Sequence, residues 1–399
     1  MSLNQTPSGE RVHIGFFGRR NAGKSSVVNA VTGQQLAVVS DVKGTTTDPV
    51  SKAMELLPIG PVVIIDTPGI DDEGVLGELR VQKTREILRR VDIAVLVTDA
   101  TQPDTQAEAE LIALFQQRDV PYLIVRNKTD LAPVSVADDR TVAVSALTGD
   151  GIETLKNALG RLATPAGNDR RIIGDLLQPG DTVVLVTPID EAAPKGRLIL
   201  PQQQTLRDIL DSGAIGIVTR ETELQQTLAA LAQPPKLVIT DSQVFGLVSK
   251  IIPPEIPLTS FSILMARYKG NLPAAVEGAA MLDKLQEGDK VLISEGCTHH
   301  RQCGDIGTHK LPAWLRQHTG KELTFAFTSG GEFPEDLSPY ALVVHCGGCM
   351  LNEREMRHRA KTAVSAAVPM TNYGVAIAHV HGILRRSLSP FPAIAELLD

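Results

Sequence analysis

The segment Gly18-Arg-Arg-Asn-Ala-Gly23-Lys24-Ser25 fits the pattern G-x-x-x-x-G-K-[ST], with the apolar run VHIGFF before it and an amphipathic stretch after it. A glycine-rich turn between a strand and a helix lets backbone N–H groups curl around phosphate. Lys24 then reaches the β- and γ-phosphates and the Ser25 hydroxyl ligates Mg²⁺. This requirement commits the first part of the chain to a parallel α/β sheet with the loop at its carboxyl edge.

The pattern around the loop agrees. VHIGFF, PVVIID, IAVLVTD, YLIVRN and TVAVSA read as five buried strands separated by amphipathic segments. The stretch TPAGNDRR at 164–171 breaks the alternation and reads as a linker. A second run of strands (TVVLVT, IGIVT, KLVIT, PLTS) alternates with three helical segments and carries neither cysteine nor phosphate loop, which points to an interface, with self-association the expectation. A third run, KVLISEG, LTFAFT, ALVVHC and VPMT, brackets the helical NEREMRHRAKTAV. The expected organisation is a flexible start at 1–10 and three α/β domains at 11–165, 172–264 and 265–399, each a mainly parallel sheet flanked by helices, the first a P-loop fold.

Composition narrows the function. The chain is 43% hydrophobic and 21% charged, with a formal net charge of -7, so it is not disordered and presents no overall basic field for nucleic acid. Residues 271–399 are nearly charge-balanced and slightly acidic. The apolar runs are far shorter than the roughly 20 residues that span a bilayer, and the polar start MSLNQTPSGER is no secretory signal. A cytoplasmic protein without membrane or nucleic-acid partners is expected.

Four further loops follow the first in order: Gly44-Thr45-Thr46, Asp66-Thr67-Pro68-Gly69, Asn127-Lys128-Thr129-Asp130 and Ser145-Ala146-Leu147. Together they resemble the translation-factor-like GTPases, in the branch that holds Era, TrmE and Der. The resemblance implies that Asp130 accepts guanine N1–H and the 2-amino group, with Asn127, Lys128, Ser145 and the Ala146 backbone supporting the base, so that the nucleotide is GTP. It also implies phosphate contacts from Asn21, Ala22, Gly23, Lys24, Ser25, Ser26 and Gly69. Asp66 would hold Mg²⁺ through water, and Thr46 would close onto Mg²⁺ when the γ-phosphate is present. Lys24, Thr46 and Glu78 are the implied catalytic residues. Asn21 stands where TrmE-like proteins ligate a bridging K⁺, with the backbone of 40–42 completing that site. Ile70 follows Gly69 where many signalling GTPases carry a glutamine, so slow intrinsic hydrolysis is expected.

The cysteines all lie in the last third, as Cys297-Thr-His299, Cys303, and His345-Cys346-Gly-Gly-Cys349. The two main groups each follow a strand, so a parallel sheet brings both to its carboxyl edge. From donor chemistry alone, three thiolates and a histidine suit a closed zinc site or three irons of a 4Fe–4S cube. Cys303 reads as a spare thiol. The whole arrangement resembles the FeFe-hydrogenase maturation GTPases, the HydF family. That resemblance implies a homodimer with a 4Fe–4S cluster on Cys297, Cys346 and Cys349. His299 or His345 would be a fourth ligand or a supporting neighbour. It further implies a transient diiron precursor built with two radical-SAM maturases and delivered to apo-hydrogenase. The competing expectation is an Era- or Der-like RNA- or ribosome-associated GTPase with a structural zinc site.

Overall fold

The computed structural model describes residues 6, 8–34, 50–69, 84–134, 136, 138–163, 170–189, 198–296, 306–348 and 350–398. The chain divides into two compact units, Met1–Asn168 and Asp169–Asp399. Among the described residues no helix is long and apolar enough to cross a membrane.

The first unit holds strands β1 (Val12–Gly18), β2 (Val50–Leu56), β3 (Gly60–Asp66), β4 (Ile93–Asp99), β5 (Tyr122–Asn127) and β6 (Thr141–Ala143) in the order β2-β3-β1-β4-β5-β6. All neighbours are parallel except β2, which returns antiparallel along β3. β1 and β4 are mostly apolar and almost wholly buried because helices cover both faces: Ile14, Phe16, Val95 and Val97 face one core, Phe17, Ala94 and Leu96 the other. Helix α1 (Lys24–Thr32) lies on the first core, and α2 (Gln106–Gln117) on the second, started by a capping box between Thr105 and Glu108. Helix α3 (Ile152–Ala163) closes the first core.

The second unit contains two four-stranded sheets, and they have the same plan. Strands β7 (Thr182–Val186), β8 (Ile215–Thr219), β9 (Leu237–Thr240) and β10 (Leu258–Ser260) lie in the order β10-β9-β7-β8. Strands β11 (Lys290–Glu295), β12 (Thr324–Ser329), β13 (Leu342–His345) and β14 (Met370–Asn372) lie in the order β14-β13-β11-β12, so both sheets are fourth-third-first-second and wholly parallel. Registers coincide: Thr182 pairs with Ile215 as Lys290 does with Thr324, and Val183 with Leu237 as Val291 does with Leu342. The turn into the first strand is L-Q-x-G-D-x-V in both, at 177–183 and 285–291. Its aspartate accepts from the glutamine N–H each time, Gln178 to Asp181 at 2.8 Å and Gln286 to Asp289 at 2.7 Å. The fourth strand ends Leu-Thr-Ser-Phe at 258–261 and Met-Thr-Asn-Tyr at 370–373, and Ser260 and Asn372 each cap the helix that follows.

These helices, Phe261–Tyr268 and Tyr373–Val380, bring the halves together. One core runs through both, from Ile173, Leu185 and Ile263 to Val276, Val375 and Leu388. Asn372 Nδ2 donates to the Ser262 carbonyl at 3.3 Å, and Ser262 and Gly374 occupy equivalent places in the repeat. A Cβ on Gly374 would fall 2.2 Å from Ser262 Cβ, so only one of the two positions has room for a side chain. Gly374→Ala should destabilise the second unit by about 1–3 kcal/mol in denaturant unfolding. Adding Ser262→Gly should recover most of the loss, whereas equal instability of single and double variants would contradict the close approach.

Candidate functional site

Two sites lie at carboxyl edges of sheets. In the first unit the chain leaves β1 through a loop that requires unusual backbone. Gly23 has φ 86°, and a Cβ there would meet Asn127 Nδ2 at 2.2 Å. Asn21 is also left-handed, at φ 62°, a conformation that asparagine tolerates better than most residues. Lys24 is buried, and its Nζ donates to the carbonyls of Gly18 at 3.0 Å and Arg19 at 2.8 Å, so the loop closes around the ammonium.

Ser25, at the start of α1, donates from Oγ to Asp66 Oδ2 at 2.8 Å. Asp66 ends β3, and its Oδ1 is buried with no hydrogen-bond partner among the described residues. Burial pushes the Asp66 carboxyl above its ordinary value, against the Ser25 hydrogen bond and the Lys24 charge. A hydroxyl beside a carboxylate with an orphaned oxygen suits a hard divalent cation such as Mg²⁺. Gly69 passes the phosphate loop closely, since a Cβ would stand 2.9 Å from the Arg20 nitrogen.

Asn127 joins three loops. Its Nδ2 donates to the Ala22 carbonyl at 3.0 Å and its Oδ1 accepts from the Ala146 N–H at 3.1 Å. Ser145, fully buried, donates from Oγ to Asp130 Oδ1 at 2.6 Å, which orients that carboxylate and leaves its other oxygen outward. Lys128, at φ 67°, pairs with Asp99 at the end of β4 at 2.5 Å. Burial opposes ionisation of Asp99, yet hydrogen bonds from Lys128 and Thr101 hold its carboxyl below the usual value. The sequence-expected residues Asn21, Ala22, Gly23, Lys24, Ser25, Asp66, Gly69, Asn127, Lys128, Asp130, Ser145 and Ala146 thus form one cluster of loops, and Ser26 follows in α1. Thr46 and Glu78 lie outside the described residues, as do 40–42 and Ile70.

The second site is at the ends of β11 and β13. Cys346 Sγ accepts from the Gly296 N–H at 3.0 Å and from the Gly348 N–H at 3.4 Å. Gly348 has φ 63°, which a side chain would strain, and its Cβ position lies 2.6 Å from Met356 Sδ. Cys297, His299, Cys303 and Cys349 lie outside the described residues. His345 is fully buried: its Nε2 meets Arg359 Nη1 at 3.0 Å and its Nδ1 meets the Cys346 carbonyl at 2.7 Å. Guanidinium only donates, so Nε2 accepts and the ring proton sits on Nδ1, donating to Cys346. Both nitrogens are then used, and His345 supports Cys346 instead of offering a lone pair.

Arg359 has no counterpart in the sequence reading. It is wholly buried on the helix Glu353–Ser365, donating to Glu355 Oε1 at 2.9 Å, to Ser294 Oγ at 3.3 Å and to the Gly330 carbonyl at 2.8 Å, with its guanidinium 5.0 Å from the centre of the Phe333 ring. Its only signal was the Glu355–Arg359 spacing of four, which reads as a surface pair.

The first unit, with its phosphate loop, Mg²⁺-ready Ser25–Asp66 pair and base-side loops, defines a P-loop GTPase, and residues 13–128 match the family described as 50S ribosome-binding GTPase. Residues 172–270 match the Hydrogen maturase F dimerization domain, and 273–390 the Hydrogen maturase F tetramerization domain. The chain belongs to the HydF family of hydrogenase-maturation GTPases. The first unit thus matches a GTPase family, and the second matches families described as dimerization and tetramerization domains. Relatives include the tRNA modification GTPase MnmE of Synechococcus sp. (strain JA-3-3Ab), 38% identical over 161 residues, and that of Laribacter hongkongensis (strain HLHK9), 34% identical over 156. Each alignment covers 38% of this chain and 34% of the relative, so the chain spans about a third of the length of the curated relatives it matches. Among solved structures, the G domain of the T. maritima FeoB iron transporter is 22% identical with a TM-score of 0.30, covering 39% of this chain and 100% of that one. Aquifex aeolicus Era bound to GDP and AlF4⁻ is 18% identical with a TM-score of 0.35, covering 55% and 98%.

The raised Asp66 value sets a pH dependence. A folded state that binds this proton more tightly than the unfolded chain loses stability as pH climbs from the ordinary 3.8 through the raised value, and the loss persists at neutrality. Asp66→Asn should therefore raise the melting temperature of the nucleotide-free chain at pH 7, with the gain fading near pH 3.8. The same variant should lose most of the stabilisation that Mg²⁺-GDP gives the wild type. Thermal unfolding across pH, with and without Mg²⁺-GDP, checks both.

Proposed function

We propose that the chain is a GTP-switched carrier in FeFe-hydrogenase maturation. Residues 11–165 read the nucleotide, 172–264 hold two copies together as a homodimer, and 265–399 carry a 4Fe–4S cluster on Cys297, Cys346 and Cys349. A cluster held by three thiolates offers one iron with an exchangeable position, to which a cyanide-bearing diiron precursor can dock. That precursor is the cargo, received from two radical-SAM maturases and passed to apo-hydrogenase.

The observation that carries this reading is the pair of N–H groups on Cys346 Sγ. They come from Gly296 and Gly348, the residues directly before Cys297 and Cys349. The described backbone next to each of the other two cysteines therefore converges on Cys346 Sγ. N–H donors aimed at sulfur favour the thiolate that a metal needs. The Arg359 guanidinium fixes His345, which in turn holds the Cys346 carbonyl. Of the two histidines, His299 is the one we assign to the exchangeable position.

In the GTPase part, Lys24 holds the β- and γ-phosphates, Thr46 closes over Mg²⁺, and Glu78 positions water. Ile70 orients no water, so intrinsic turnover is slow. Asn21, held left-handed in the loop, supplies a side-chain oxygen to K⁺ between the phosphates. Near charge balance over 271–399 supports a protein partner for the last module over RNA, and a cytoplasmic setting fits thiols kept reduced.

Cys346→Ser should remove the broad visible absorption and most of the bound iron and sulfide after anaerobic reconstitution while GTP hydrolysis continues. Iron loading equal to wild type would refute the ligand assignment. Replacing Na⁺ by K⁺ should speed hydrolysis by at least about tenfold, a fraction of what an arginine finger supplies. Asn21→Ala should abolish that difference, measured as steady-state phosphate release.

A further inference from the structure

Asp283, His318 and His379 converge at the other end of the last sheet. His318 Nε2 lies 2.7 Å from Asp283 Oδ1 and His379 Nε2 lies 3.0 Å from Asp283 Oδ2. All the donor atoms fall within 4.8 Å of one another. The two imidazoles meet edge to face with centroids 5.6 Å apart. We propose that these three residues bind a first-row divalent transition metal ion, separately from the cysteine site.

Three observations carry this. The donor set is two imidazoles and a carboxylate, borderline ligands that suit zinc, cobalt or ferrous ion and leave coordination positions open. Donors bonded at about 2.0–2.2 Å to a tetrahedral ion stand roughly 3.4 Å apart, somewhat beyond the two hydrogen-bonded separations and inside the 4.8 Å that encloses all three donors. The protons that now bridge each histidine to the carboxylate would give way to the ion with small side-chain movements.

The donors are also held in place from beneath. Asp283 follows Leu282, His318 is three residues after Leu315, and His379 is two after Ile377, and those three apolar residues are buried in one cluster. Each donor is thus carried by a backbone segment fixed in the same core, while the side chains remain partly open to solvent, His318 at 23% and His379 at 17%. The helices Leu311–Thr319 and Tyr373–Val380 both present their histidine in the last turn, where the helix dipole favours a cation. Burial works against ionisation of Asp283, but hydrogen bonds and charge from His318 and His379 hold its carboxyl below the usual value, so the negative ligand is present at neutral pH.

The site is distinct from the thiolates. In a parallel sheet the connecting helices run back toward the strands' amino ends, and Asp283 itself precedes β11. The His–Asp group therefore lies at the amino edge. Cys346 lies at the carboxyl edge, separated by the six residues of β11, about 20 Å.

Co²⁺ distinguishes the two, because thiolate ligands give intense near-ultraviolet charge transfer and imidazole or carboxylate ligands only weak visible bands. The full, untagged chain should take up Co²⁺ in both forms. His318→Ala combined with His379→Ala should lose about one equivalent of the weak visible bands and keep the charge transfer. Asp283→Asn, at a more exposed position, should lose the same bands and bind Zn²⁺ at least about tenfold more weakly in competition with a chelating dye. Far-ultraviolet circular dichroism and GDP binding equal to wild type establish that the variants are folded. A featureless difference spectrum for folded variants, or loss of thiolate charge transfer, would overturn the site.

Discussion

Parallel strands all end on the same side, and the chemistry of this chain follows from that constraint. In the first sheet the ends of β1, β3, β4 and β5 deliver the phosphate loop, Asp66, Asp99 and Asn127 to one edge. In the last sheet the ends of β11 and β13 deliver Gly296 and Cys346 to hydrogen-bonding distance although fifty residues separate them. Neither site could be assembled on an antiparallel meander, where successive strand ends alternate sides. Among the described residues the one antiparallel strand, β2, sits at an edge and interrupts nothing.

The second unit applies one plan twice and lets the chemistry differ. β9 ends at Thr240 and the chain continues Asp241-Ser242, whereas the equivalent β13 ends at His345 and continues Cys346-Gly347. The scaffold needs only the shared features: the aspartate-closed turn before the first strand, the polar cap at the end of the fourth, and the apolar helix after it. Sulfur and glycine were placed on one copy, and the other copy remained an ordinary sheet with an exposed edge strand, where Ile215 and Val218 are solvent-facing.

Electrostatics differ between the two edges as well. In the GTPase part burial pushes the Asp66 carboxyl above its ordinary value against the Ser25 hydrogen bond and the Lys24 charge, and its Oδ1 has no hydrogen-bond partner among the described residues. Beneath Cys346 a buried guanidinium is already paired with Glu355 and used on every side. Such a pair is a weak source of net stability because desolvation offsets attraction. Its consequence is geometric: it fixes one tautomer of His345 and one place for the Cys346 backbone.

Much of this was legible in the residues. Apolar runs of strand length separated by amphipathic segments specify parallel α/β sheets, and the loop motifs at 18–25, 66–69, 127–130 and 145–147 specify a guanine-nucleotide site, because each contact depends on local backbone and a few adjacent atoms. The cysteine and histidine groups after KVLISE and ALVV likewise pointed to one sheet edge, where Gly296 and Cys346 do meet. Only the tertiary structure decided that Asp169–Asp399 is one compact unit built from two like halves, that Gly374 must yield to Ser262, that Arg359 is buried under His345, and that Asp283, His318 and His379 meet. These depend on which faces of distant helices touch. Local propensity does not encode such contacts, since they form only when a shared core brings segments of remote sequence into register.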